Sequence, residues 1–125
     1  MIELPIKQAY DLIVEAGLFQ EEEVFMLAVP EDFQKLDKLP LVRINEIDSG
    51  QATTASNTII EYHLMVQVDV WGPLSMLSKV SKDLDHLFSL SSWVVVSSGI
   101  DADPDFNDTP RLFKRYKATQ QVGLK

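Results

Sequence analysis

The run Ile59–Trp71, IIEYHLMVQVDVW, alternates with a two-residue period yet carries apolar side chains on both sides. Tyr62, Leu64, Val66, Val68 and Val70 fall on one face, with Ile60 before them, and Glu61, His63, Met65, Gln67, Asp69 and Trp71 on the other. The pattern predicts a long β-strand with a core face and a mixed face. Such a strand needs company on each side. Met65 and Trp71 either pack under a loop or helix of the same chain or serve as apolar anchors of a subunit contact.

Shorter signals order the rest of the chain around that strand. Pro5 suits the first turn of a helix, where its missing N–H costs nothing, and Ala9, Leu12, Ile13 and Ala16 follow at helical spacing until Gly17. Val24–Val29 and Leu41–Ile47 read as strands, and the Gly-, Ser-, Thr- and Asn-containing segment Asp48–Thr58 as a long exposed hairpin loop or arm. Gly72 and Pro73 end the long strand, and Leu74, Leu77, Val80, Leu84, Leu87 and Phe88 draw the apolar stripe of a second helix over 74–88. Ser92–Ser98 reads as a buried strand, Gly99–Pro110 as a loop, and Arg111–Val122 as a closing strand. The expected fold is α+β: one domain over residues 1–125, with a mainly antiparallel sheet flanked on one face by two helices. The second face is then the place for association.

Composition narrows the function classes. The chain has 125 residues and no cysteine, which rules out disulfides and thiolate metal sites. The opening MIELPIKQAYDLIVEAG is amphipathic and acidic, unlike a secretory signal or a membrane span, so a soluble protein is expected. A formal net charge of −8 argues against nonspecific capture of duplex DNA and favours protein partners. The charge is unevenly placed: all the acids precede residue 111, whereas Arg111, Lys114, Arg115, Lys117 and Lys125 follow. Either one protomer's basic strand meets a neighbour's acidic surface, or both signs meet within one fold or simply face water.

No constellation announces chemistry. His63 and His86 have no useful spacing, and there is no nucleophile elbow, Cys–His pair or glycine-rich phosphate loop. Asp101, Asp103 and Asp105 alternate as in a calcium loop, but Phe106 stands where that loop needs glycine and Leu112 where it needs glutamate; an acidic solvated loop is the reading preferred over a weak cation site. Glu61 and Asp69 share a strand face but stand roughly 26 Å apart along it, too far for paired acid–base work. Catalytic, cofactor-binding and metal-binding residues are therefore expected to be absent.

Taken together, PLVRINEI, a polar loop containing SN, IIEYHLMVQVDVWG, an amphipathic helix, an Asp-rich turn and the closing RLFKRYKATQQVG resemble the tail terminator, or tail-completion, proteins of long-tailed bacteriophages. The pairing of QVDVWG with a following helix and a basic C-terminal strand is the most specific part. The resemblance implies a structural virion protein, not an enzyme: an α+β protomer building a ring, hexameric in similar proteins, that caps the tail tube and later meets the head connector. It implies as partners other copies of the chain, the major tail tube protein and head–tail connector proteins, with viral DNA passing through without specific binding and no membrane. Its expected place is the head-proximal end of the virion tail, after assembly in the host cytoplasm. By the same likeness Arg43, Asn45, the loop Gly50–Asn57, Gln67, Asp69 and Trp71 are the expected subunit or tube contacts. A head-completion protein at the head–tail junction, or a small inhibitor of a host or phage enzyme, are the alternatives.

Overall fold

The computed structural model describes residues 4–34, 38–47, 51–55 and 58–121. Helix α1 spans Pro5–Ala16, with its first turn closed by the Gln8 N–H donating to the Leu4 carbonyl at 3.0 Å. It ends where Gly17 turns left-handed at φ 72°, a conformation that costs glycine little, and donates its N–H to the Val14 carbonyl. Its buried face is Pro5, Ile6, Ala9 and Ile13. Helix α2, Leu74–Leu90, starts after Pro73 and buries Leu77, Leu84 and Phe88, a spacing of seven and four residues that keeps them on one stripe.

Among the described residues six strands form one sheet: β1 (Val24–Met26), β2 (Leu41–Glu46), β3 (Gln51–Ala55), β4 (Thr58–Trp71), β5 (Val94–Asp103) and β6 (Thr109–Gln121). The order across it is β1-β2-β4-β6-β5, with β3 also pairing β4. β1 runs parallel to β2, and every other pairing is antiparallel. This is the α+β architecture that the change of periodicity along the chain predicts. Val42, Ile44, Leu64, Val66, Val68, Val70, Leu112 and Tyr116 form a continuous core with the buried stripes of both helices. Phe88 organises one end of it, stacked on Tyr116 at 4.1 Å between ring centroids and edge-on to Trp93 at 5.8 Å. Both helices thus cover the face of β4 that the two-residue period assigns to the core. Among the described residues no helix is long and apolar enough to cross a membrane.

Three local expectations need correction. Gln51–Ala55, read as loop, is a strand whose register runs from Gln51 opposite His63 to Ala55 opposite Thr58, with a bulge between Thr53 and Thr54. Backbone pairing against a long partner needs no apolar period, so composition pointed the wrong way. Of the expected arm contacts, Gly50 and Asn57 lie outside the described residues. The run after Trp93, read as a buried strand ending at Ser98, continues to Asp103 and is exposed, because β5 is an edge strand paired on one side by β6. Gly99, read as the start of a loop, belongs to that strand: a Cβ there would lie 2.7 Å from the Phe113 ring, which packs across the gap. Finally, β1 stops at Met26, where Leu27 takes a positive φ of 75°.

Candidate interaction face

The face of the sheet opposite the helices carries the odd-numbered residues of β4 and their cross-strand neighbours. Register sets Arg43 opposite Asp69 and Asn45 opposite Gln67 on one side, and Arg115 opposite Gln67 on the other. The Asp69 side chain has no exposed surface. Arg43 donates to its Oδ2 from both Nε (3.1 Å) and Nη2 (2.8 Å), while the Gln67 amide donates to its Oδ1 at 2.9 Å. Arg115 Nε in turn donates to the Gln67 Oε1 at 2.9 Å. The Asn45 amide, oriented with its nitrogen toward carbonyls, donates to the Leu27 carbonyl at 3.0 Å and accepts from Arg43 Nε at 3.2 Å. A polar band therefore crosses three strands. Its centre is a buried carboxylate and its ends are cationic, with Arg43 partly exposed and Arg115 exposed.

The band meets a small apolar cluster at the end of β4. Arg43 lies with its guanidinium carbon 5.1 Å from the Trp71 ring centroid, and Trp71 stacks on Phe106 at 6.2 Å. Val29, Leu41, Trp71 and Phe106 are buried together, with Phe25 and Leu39 against them. Of the two roles open to Trp71, packing under its own chain is the one this geometry fills. The Trp71 indole N–H donates to Asp103 Oδ2 at 2.9 Å, and Asp103 Oδ1 accepts the Asp105 N–H at 3.0 Å.

The basic strand and the acids before it meet within the fold. Arg111 forms a two-pronged pair with Asp101 (Nε–Oδ1 3.0 Å, Nη2–Oδ2 2.7 Å). That hydrogen bond holds the Asp101 carboxyl below its ordinary value and raises Arg111. On the helix side, Asp85 of α2 accepts from Lys114 Nζ at 2.9 Å and from the Tyr116 hydroxyl at 2.8 Å. Burial first, and this hydrogen bond second, push the Tyr116 hydroxyl far above the ordinary phenol range. The alternating acids of residues 101–105 are thus committed in part to arginine, indole and backbone donors, and among the described residues no group of three or more His, Asp or Glu side chains is placed to hold a metal ion.

The structure brings Arg43, Asn45, Gln67, Asp69 and Trp71 into one neighbourhood, as their spacing on β2 and β4 implies. It divides them by role: Asp69 and Trp71 are buried supports, whereas Arg43, Asn45 and Gln67 keep partial exposure. Arg115 completes the band and was missed, although its place in an alternating basic strand was the available signal. In comparisons with known proteins, no family model and no curated protein matches the chain.

Proposed function

We propose that this protein is a structural, non-catalytic virion component that caps the tail tube of a long-tailed phage as an oligomeric ring, ends tail elongation and offers the surface for head–tail joining. One observation carries the reading beyond the sequence resemblance: the sheet face opposite the helices bears the Arg43–Asp69–Gln67–Arg115 band, in which the buried Asp69 carboxylate holds Arg43 directly and Arg115 through the Gln67 amide. Charges fixed before binding lose little freedom when a partner docks, which suits a repeated and specific subunit contact. The partners are other copies of the chain, in a ring that is hexameric by analogy, then the tail tube protein and the connector. A net charge of −8 suits a ring through which DNA passes without sticking. The protein works at the head-proximal end of the tail.

The test is assembly in the absence of the protein, followed by complementation. Deletion should give tails of abnormal length that fail to join heads, and Arg115→Glu should restore assembly poorly while the variant remains folded. Tails of normal length that join heads without the protein overturn the proposal. Tails of normal length that fail only at joining overturn the terminator role and favour the head-junction alternative.

A further inference from the structure

The edge strand β5 has a sequence and an exposure that an unpaired edge rarely keeps. It closes the strand order, so one row of its backbone groups has no ladder partner among the described residues. From Val94 to Ile100 it holds neither charge nor proline. Val94 (65%), Val95 (40%), Val96 (54%) and Ile100 (50%) are all well exposed. Solvent-facing edges are ordinarily blunted by charge, proline or brevity, and a long uncharged one is a template for another strand.

We infer that this edge pairs with the same edge of a second copy, antiparallel about a two-fold axis at Ser98. Val95 and Ile100 lie opposite Tyr116 and Leu112, both core residues on the helix side, so both belong to the helix-side row of β5 along with Ser98. They share a row despite their odd separation because the register shifts between Val95 and Ser97. With Ser98 facing itself, Ser97 faces Gly99. The extra residue Val96 then brings Val95 opposite Ile100 of the second copy, twice. Small residues occupy the axis and apolar pairs flank it.

Charge favours the same arrangement. Val94 is paired with Lys117, and the other end of the strand carries Asp101 and Asp103. An antiparallel pair sets Asp101 of the second copy, held from behind by its own Arg111, opposite Val94 and one strand away from Lys117, so an acid approaches a base at both ends. The other edge of the sheet is a poorer occupant. β1 has three residues, and successive registers place its Val24 level with Ile100. Glu21–Glu23 would then come in beside Asp101 and Asp103. A two-fold contact closes on itself and builds no cyclic ring, so this pair is an assembly state separate from the proposed function and is tested without it.

The chain has no cysteine, so Ser98→Cys introduces a single thiol. Directly opposed strand residues stand about 4.5–5.5 Å apart at Cα, within disulfide reach. Under mild oxidation the purified full-length Ser98→Cys protein should become a covalent dimer, whereas the same substitution at exposed Ser78 on α2 should not. In sedimentation experiments Val95→Lys should weaken the dimer about tenfold, and adding Ile100→Glu should restore it, because the new opposite charges meet across the axis. Circular dichroism on each variant shows that the fold is kept. Cross-linking at Ser98 no greater than at Ser78 overturns the inference, as does a dimer indifferent to Val95→Lys or a wild-type protein that stays monomeric at all concentrations.

Discussion

Arg43 on β2 directs two N–H groups at one oxygen of Asp69 on β4, a carboxylate with no exposed surface, while the Gln67 amide N–H donates to the other oxygen. A buried charge with one partner removed is costly because the remaining group keeps its desolvation without its attraction. Arg43→Ala, which leaves the fully enclosed Asp69 carboxylate without its counter-charge, should therefore lower stability by about 3 kcal/mol. Urea unfolding should show an earlier midpoint at unchanged slope. A Lys substitution at Asp69 would act on folding before it acted on any interface, so Arg115 and Asn45 are the better places to probe assembly.

Trp71 is held both by its ring on Phe106 and by its indole N–H on Asp103. Trp71→Phe keeps a ring for the stack and removes the donor. The expected loss is about 1.5–3 kcal/mol, the range for a hydrogen bond to a charged group. Asp103→Asn retains an acceptor and should cost less. Thermal unfolding of the two variants side by side gives the comparison.

Much of this face is legible in the sequence because it follows from strand periodicity: once Ile59–Trp71 is a strand, Gln67, Asp69 and Trp71 must share a side. The partner of each residue is not legible, because register depends on how distant strands meet. Nothing local to Arg115 says that it reaches Gln67, or that Lys114, the residue before it, reaches Asp85. The valines after Trp93 mislead for a related reason. An apolar run ordinarily signals burial, yet Val94, Val95 and Val96 are exposed in this chain.

Two groups give opposite responses to pH. The Asp101 carboxyl is lowered from 3.8 by Arg111, so its contribution to stability is complete above that value and fades as pH falls through the lower folded value. Asp101→Asn should flatten the acid side of the stability curve. Tyr116 is raised by burial and by its bond to Asp85, so its contribution is complete below the ordinary phenol value of 10.0 and is lost as pH rises above it. Tyr116→Phe should flatten the alkaline side. Chemical denaturation across the two pH ranges reads both effects, and an unchanged alkaline slope in Tyr116→Phe would contradict the second.

The Asp85–Lys114 pair should respond asymmetrically to loss of either member. Lys114 is almost fully enclosed, with 4% of its side chain exposed, while Asp85 keeps 39%. Asp85→Ala leaves an enclosed ammonium without its counter-charge and takes the acceptor from the Tyr116 hydroxyl, so a loss of about 3 kcal/mol is expected. Lys114→Met keeps most of the buried stem and removes the charge that needed a partner. Asp85, still open to water and still accepting from Tyr116, tolerates that change, and the expected cost is about 1 kcal/mol or less. The double variant tests the coupling: with Lys114→Met in place, Asp85→Ala should lose most of its penalty. Equal costs for the two single variants, or full additivity in the double, would mean that the pair's strength does not come from the enclosure of Lys114.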